Sequence, residues 1–459
     1  MLLPDLILKT NFILAHGFGA MIDLPIPIHL YWIAGGVSVL FSFIIISLLS
    51  DPQKNSTDYR TYNLLSNRTF TKIYETKLLF TILRFFSVFL LFLTIITGIF
   101  GTQFPQFNFA TTFVWVIWWA GFIIFHIIIG SSWDLINPWK NIYDFLGIKN
   151  KPLFNYPEHF GTFPAFLLFL VFGWIELIHP NSANPDFIGY TVLVYSGIVL
   201  FGMYVFGRST WLNNCEPFTV FFNFISNFSP TEIKQSPKQI NLRLPSVGLI
   251  KFKPSFDKSL FILLILSVVS YDGLISTVFY YDLIGIDLYS NYNENYLILI
   301  NSFGLLLTFL IFVGLFTFTM WIIKGVTKSK QTLKELITIF VSSLLPISIV
   351  YHLSHYTTYV FINGQRIIQL ISDPFGFGWN LFGTSEFSLI QNINYNFLWN
   401  YQVSVIIIGH IFSVYVAHKI ALSIFDNKST VIKSQIPMVL LMISYTILGL
   451  WLLSVPSIG

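Results

Sequence analysis

Long runs of apolar residues, separated by short polar gaps, dominate this chain. Most runs reach the roughly 20 helical residues that cross the hydrocarbon core of a bilayer. The pattern predicts ten membrane-spanning helices, at residues 28–49, 78–101, 109–130, 164–179, 188–207, 259–284, 296–323, 335–362, 399–424 and 435–455. The predicted fold class is therefore all-α, a polytopic helical membrane protein.

Basic residues alternate between the gaps. Nearly all of the 25 Lys and Arg residues lie in every second gap, namely 51–77, 131–163, 208–258, 324–334 and 419–434. Because Lys and Arg are retained on the cytoplasmic side of a membrane, these gaps are predicted to be cytoplasmic and both chain termini external. We expect multi-pass insertion in the cell membrane.

The ten spans predict one integral membrane domain over residues 1–459. Residues 1–27 form an external N-terminal arm in this interpretation. Residues 208–258 form a large cytoplasmic loop, in which the apolar stretch 218–228 is expected to lie along the membrane surface. Residues 363–398 form an external loop whose aromatic residues and turn signals predict a path that dips back toward the helices.

Composition agrees with this class. Charged residues make up 10% of the chain, against roughly 25% in soluble domains. The net charge of +4 comes from the predicted cytoplasmic loops, so it indicates a lipid bilayer as the partner and not a nucleic acid. The single cysteine, Cys215, excludes an internal disulfide and a thiolate metal cluster.

Ionisable residues inside the predicted spans are the candidates for function, because burying them in a membrane is costly. Asp272 lies midway along the sixth span, and Glu176 lies near the outer end of the fourth. His352 and His355 lie in the eighth span and His410 in the ninth. These side chains concentrate toward the predicted outer half of the membrane, where Asp373 of the external loop is also expected.

The spacing of the histidines limits which of them share a site. His352 and His355 are three residues apart, so one face of a helix presents both. His410 and His418 are eight residues apart, roughly 12 Å along a helix, and do not share one ion. We predict His355 and His410 as core ligands, joined by His352 or Asp272 and by His16 of the arm. Imidazoles with a carboxylate suit a divalent transition metal such as Zn, Cu or Fe.

Each candidate also has a structural interpretation. A buried histidine or aspartate can simply hydrogen-bond to a neighbouring helix, and Glu176 can lie at the membrane interface. The Trp residues at 115, 118 and 119 need no cofactor to explain them. The sequence contains no Walker loop, dinucleotide fingerprint, nucleophile elbow or His-Glu-x-x-His motif.

Several different short motifs follow one another across nearly the whole chain. They are Ala15-His16-Gly17-Phe18-Gly19, Asn137-Pro138-Trp139-Lys140, Trp174-Ile175-Glu176-Leu177, Tyr271-Asp272-Gly273-Leu274, His355-Tyr356, Ser372-Asp373-Pro374, Gly409-His410 and Ala417-His418. Together they resemble the fenitrothion hydrolase-like family of polytopic membrane proteins. The family name implies cleavage of an organophosphate ester. The resemblance favours His16, His355, His410 and His418 as metal ligands.

The leading hypothesis is a metal-dependent hydrolase of ester or organophosphate-type substrates, with its site near the outer leaflet. Asp272 is then a ligand or general base, and Asp373 contributes from the external loop. A bound metal would lower the pKa of water and polarise the substrate oxygen. Two alternatives use the same residues: a transporter or metal-handling permease, and a bis-histidine haem protein with His355 and His410 as axial ligands. The sequence does not identify the small-molecule substrate.

Overall fold

The computed structural model describes residues 27–49, 59–148, 151–235, 238–287, 292–390 and 394–455. His16 and nearly all of the predicted external arm lie outside the described residues. The main helices are α1 (Ile28–Leu49), α2 (Lys77–Phe100), α3 (Phe109–Ile129), α4 (Phe163–Leu177), α5 (Pro185–Phe206), α6 (Pro217–Phe228), α7 (Phe256–Ile275), α8 (Glu294–Thr327), α9 (Leu333–Asn363), α10 (Tyr395–Ile424) and α11 (Lys428–Ser454). Shorter helices are Arg68–Glu75, Trp133–Ile136, Pro138–Phe145, Arg208–Asn214, Val278–Leu283 and Arg366–Ser372.

All ten predicted apolar spans are helices. In the described part of the chain, nine helices are long and apolar enough to cross a membrane. The remaining span is α4, an apolar helix of 15 residues. At 1.5 Å per residue α4 is roughly 22 Å long, shorter than a hydrocarbon core of about 30 Å. The prediction of an all-α polytopic membrane protein is confirmed.

The expectation that residues 218–228 lie along the membrane surface is wrong. These residues belong to α6, and all of its aromatic side chains, including Phe221 and Phe224, are buried. The helix packs against α3, α4 and α9. Glu216 caps its first turn, because the carboxylate accepts from the backbone N–H groups of Phe218 and Thr219. This apolar segment of the predicted cytoplasmic loop is therefore a helix of the core.

Helices α7 and α9 form the centre of the bundle. The apolar windows of α7 and α9 are 78% and 83% buried, whereas that of α8 is 11% buried. A helix that is apolar all round and buried belongs to the interior, and one that is apolar but exposed has lipid as its neighbour. Polar residues on α7 and α9 are therefore enclosed by protein, and their interactions must come from neighbouring helices.

Helix α3 contains a π-helical stretch, Thr112–Gly121. Its wider turns end where the backbone N–H of Phe122 donates to the carbonyl of Ile117, five residues earlier. Such stretches are rare and often lie at functional sites. In this chain the stretch carries Trp115, Trp118 and Trp119.

Helices α9 and α10 run antiparallel, with a register fixed by side chains. Gln402 Nε2 donates to the carbonyl oxygen of Ser354 at 3.1 Å. Further along, Gly409 of α10 lies against Val350, and Ser413 donates to the carbonyl of Ser343. Position 410 of α10 is therefore level with a part of α9 that precedes position 350.

A small antiparallel sheet ties the loop after α6 to the segment before α2. Its strands are β1 (Tyr62–Asn63), β2 (Thr231–Gln235) and β3 (Lys238–Leu242), with β3 in the middle. The buried Arg243 guanidinium lies 3.0 Å from the Glu232 carboxylate. Partial burial acts to raise the pKa of Glu232, but hydrogen bonds from Tyr59 and Asn241 and the charge of Arg243 hold that pKa below its ordinary value.

The loop after α9 packs against the loop between α2 and α3. The backbone N–H of Thr102 donates to the carbonyl of Phe375, and that of Phe109 donates to the carbonyl of Pro374. The carboxylate of Asp373 accepts from the N–H groups of Phe377 and Gly378. Gly376 has a positive φ of 69° and lies close to Thr102, so this turn uses the freedom of glycine.

Candidate functional site

A buried pair of ionisable side chains joins α7 to α9. Asp272 lies on α7 with 1% of its surface exposed, and His355 lies on α9. His355 Nε2 is 3.0 Å from Asp272 Oδ2. The sequence analysis predicted these two residues as members of one site, and the structure brings them together.

Tyr356 extends this pair toward a second carboxyl group. Its hydroxyl oxygen lies 2.6 Å from Asp272 Oδ2 and 2.9 Å from Glu176 Oε1. Glu176 comes from α4 and is 4% exposed. The short helix α4 is held against α7 at its other end, where Thr162 Oγ1 donates to Asp257 Oδ2 at 2.6 Å. One hydroxyl therefore bridges two buried carboxyl groups from different helices.

Trp119 completes the cluster from the π-helical stretch of α3. Its indole N–H donates to Glu176 Oε1 at 2.6 Å. Glu176 Oε2 is buried and has no hydrogen-bond partner among the described residues. We refer to Trp119, Glu176, Asp272, His355 and Tyr356 as the carboxyl cluster. Its members come from four helices that are distant in the sequence.

The two short contacts of Tyr356 have a consequence for the number of protons that the carboxyl cluster can hold. A tyrosine hydroxyl has one proton to donate, so it satisfies only one of the two carboxylates. The other short contact requires a proton on its carboxyl group, which donates to the Tyr356 oxygen. Two arrangements result, with the extra proton on Glu176 or on Asp272. They interconvert when one carboxyl gives its proton to Tyr356 while the Tyr356 hydroxyl gives its own proton to the other.

A cavity of about 20 Å³ lies beside the cluster. This volume corresponds to about one water molecule. Trp119, Ser348, His352 and Tyr356 contribute its polar atoms and aromatic edges. The His352 ring is 4.4 Å from the Tyr356 ring and 5.4 Å from the Trp119 ring, centroid to centroid. His352 therefore lies next to the carboxyl cluster on the side toward the start of α9.

The other predicted ligands lie elsewhere. His410 Nδ1 is 2.8 Å from the carbonyl oxygen of Ile406 in its own helix, and His418 is buried on α10 two turns further along. The register of α9 and α10 places His410 level with residues before Val350, roughly one turn or more from His355 along the axis. Asp373 accepts hydrogen bonds within its own turn.

The described residues do not complete a metal site. No group of three or more His, Cys, Asp or Glu side chains within them has the arrangement to hold an ion. Asp272 and His355 supply two adjacent donors, whereas zinc sites in proteins use at least three protein ligands. The assignment of His355, His410, His418 and His16 as metal ligands stays a prediction, and His16 lies outside the described residues.

Sequence reasoning missed two members of the cluster. Trp119 was explained as an ordinary apolar residue, and Tyr356 was noted only as the neighbour of His355. Glu176 was a candidate for the membrane interface, yet it is buried. The one local signal for Tyr356 was its spacing of four residues from the candidate His352, since residues four apart share a face of a helix. Nothing local indicates that Tyr356 meets a residue 180 positions earlier.

Compared with protein-family models, curated proteins and solved structures, the chain matches none. The resemblance to fenitrothion hydrolase-like proteins therefore stays an expectation from the motifs.

Proposed function

We propose that this multi-pass membrane protein is a proton-coupled transporter of a small molecule, in which the carboxyl cluster binds and releases the coupling proton. The observation that carries the proposal is the single Tyr356 hydroxyl between Glu176 and Asp272. Ionisable groups buried in membrane helices commonly mark proton relays and ion pathways, because their cost is retained only where they serve a function.

The cluster has the parts that proton exchange needs. Glu176 and Asp272 are two proton acceptors, Tyr356 connects them, and His355 lies within 3.0 Å of Asp272. The small cavity beside His352 and Tyr356 has room for one water on the side toward the start of α9. Because the residues of the carboxyl cluster come from four helices, a shift of one helix against another changes the distances between them.

Infrared difference spectroscopy of purified protein tests the proton site without knowledge of the substrate. A pH step should change the C=O stretching band of a protonated carboxyl group. Glu176→Gln or Asp272→Asn should remove that change, and Tyr356→Phe should alter its frequency because the bridging hydrogen bond is lost. Glu294→Gln is the matched control, since Glu294 is exposed at the start of α8. Retention of the wild-type band in both cluster variants would refute the proposal.

Reconstituted vesicles test the coupling. Protein carrying Glu176→Gln should move protons at about one tenth of the wild-type rate or less, which corresponds to an activation barrier higher by at least about 1.4 kcal/mol. The Glu294→Gln control should match the wild type. A pH-sensitive dye inside the vesicles reports the flux under an imposed potential. If folded, monodisperse Glu176→Gln protein transports protons as fast as the control, the carboxyl cluster is not the coupling site.

The metal-dependent hydrolase is the second candidate, favoured by the adjacent Asp272 and His355 side chains. Elemental analysis of protein purified without chelators separates it from the transporter. Stoichiometric metal that is lost in His355→Ala, together with metal-dependent ester cleavage, would favour the hydrolase. Protein free of metal and of haem absorbance, with an intact infrared response, would favour the transporter.

A further inference from the structure

A large apolar cavity lies on the opposite side of α3 from the carboxyl cluster. Its volume is about 1010 Å³. Residues of α2, α3, α4 and α5 line most of it, with Pro217 and Phe218 of α6 at its floor. Ligand sites for drug-sized molecules have volumes of roughly 300–1,000 Å³, so this cavity has room for a long-chain molecule.

The cavity exists because consecutive helices diverge. Helix α5 packs mainly against α2, whereas α4 packs against α7 and α6. Val171 of α4 and Val194 of α5 both line the space between them and are 51% and 62% exposed. Both lie within apolar helices of a membrane protein, so the exposed side of the cavity meets the hydrocarbon of the bilayer. Lipid can therefore enter from the side.

The aromatic wall of the cavity presents apolar surface. The indole N–H groups of Trp115, Trp133 and Trp139 donate to Ser182, Thr219 and Ser196, respectively. Because those donors are already satisfied by protein, the rings contribute apolar atoms to the lining and have no need of a polar ligand. An alkyl or acyl chain suits this lining.

The amide and carboxylate groups of the lining lie at one end. Asn181, Asn184 and Asp186 line the cavity where the chain turns from α4 into α5. Asp186 is the one side chain with a formal charge in the described lining, which contains no Lys, Arg or His. A phosphate headgroup would meet a carboxylate there without a cation. A hydroxyl headgroup can instead donate to a carboxylate and accept from an amide.

We propose that this cavity is a binding site for a membrane lipid with long apolar chains and a small uncharged, hydroxyl-bearing headgroup, of the diacylglycerol type. The chains occupy the space between α4 and α5, and the hydroxyl lies among Asn181, Asn184 and Asp186. This site is independent of the proton-coupling proposal, because its lining does not include Glu176, Asp272, His355 or Tyr356.

Photo-crosslinking in nanodiscs tests the site. The probes are a diacylglycerol and a phosphatidylglycerol, each with a photoreactive group in one acyl chain. The diacylglycerol probe should label cavity residues of α4 and α5 in a saturable manner, and unlabelled diacylglycerol should compete. The phosphatidylglycerol probe should label these residues about tenfold less. Equal saturable labelling by both probes would overturn the assignment of the headgroup.

Two matched substitutions on α5 give the control. Val194→Phe adds a ring to the cavity lining and should lower the saturable labelling about tenfold. Leu193→Phe changes its neighbour, which is 47% exposed but does not line the cavity, and should leave the labelling unchanged. Unsaturable labelling spread over all lipid-facing helices, unaffected by Val194→Phe, would show ordinary bilayer contact only and would refute the site.

Discussion

Trp118 and Trp119 are neighbours in the chain, yet they face two sites of opposite character. Trp119 donates to Glu176 in the carboxyl cluster, at 2.6 Å. Trp118 lines the large apolar cavity. Phe172 packs against both rings, with centroid distances of 4.7 Å to Trp119 and 6.5 Å to Trp118. A wall of aromatic side chains separates a polar interior from a space that suits lipid.

The difference shows how one helix serves two environments. On the inner side, ionisable groups are enclosed and lie within hydrogen-bond distance of one another, because an unpaired polar group is costly where the dielectric constant is low. On the outer side the lining is mostly apolar, and its amide and carboxylate groups lie at one end. The comparison predicts that equivalent substitutions on the two sides of α3 have unequal effects.

The largest difference in the free energy of unfolding is expected between substitutions of the carboxylates at the two sites. Asp272→Ala removes the carboxylate beside His355 and leaves Tyr356 with Glu176 alone, so it should lower the free energy of unfolding by about 3–5 kcal/mol. Asp186 is exposed, so Asp186→Ala should cost no more than about 1 kcal/mol, the size of a helix N-terminal charge effect. Thermal unfolding of both variants in the same detergent measures this. Equal losses would mean that Asp272 is hydrated and not enclosed.

A smaller difference in the free energy of unfolding is expected between substitutions of the adjacent residues Trp118 and Trp119. Trp119→Phe keeps an aromatic ring but removes the N–H that donates to Glu176, which should cost about 1–3 kcal/mol. Trp118→Phe should cost less, since its ring packs in an apolar lining. In the infrared experiment, Trp119→Phe should also shift the carboxyl band, whereas Trp118→Phe should not. A shift of the same size in both variants would contradict the separation of the two sites.

The apolar spans were predictable because each is a long local run. The span predicted at 28–49 has the same bounds as α1, and the others differ by a few residues at most ends. The pairing of Asp272 with His355 was also predictable, since ionisable residues in two different spans are both too costly to leave facing lipid. These predictions depend on composition and on the energy of burial, which the sequence expresses directly.

The remaining features depend on tertiary packing. The π-helical turn that aims Trp119 at Glu176 has no local signature in the apolar run of α3. The aromatic stretch of α6 has a composition that suits a membrane surface and a protein core equally. Its location in the core depends on the helices that pack against it. The relative level of His355 and His410 depends on the register of α9 and α10. That register is set by contacts such as Gly409 against Val350.

A further expected effect concerns the packing of the two helices that border the apolar cavity. Gly98 of α2 and Gly189 of α5 lie at a close helix crossing. A Cβ atom on Gly98 would come within 2.6 Å of the carbonyl oxygen of Pro185 and 2.9 Å of the Gly189 Cα. Because both obstacles are backbone atoms, Gly98→Ala must push the helices apart. Overpacking of this kind typically costs about 1–3 kcal/mol.

Gly197 provides the matched control on α5, since a Cβ there has nothing within 4 Å. Gly197→Ala should be neutral or add up to about 1 kcal/mol, the helix propensity of alanine over glycine. Gly98→Ala should lower the unfolding temperature and also reduce saturable diacylglycerol labelling, because α5 forms one wall of the cavity. Its infrared carboxyl response should stay unchanged, since α2 and α5 contribute nothing to the carboxyl cluster. Loss of that response in folded Gly98→Ala protein would show that the two sides of α3 are coupled.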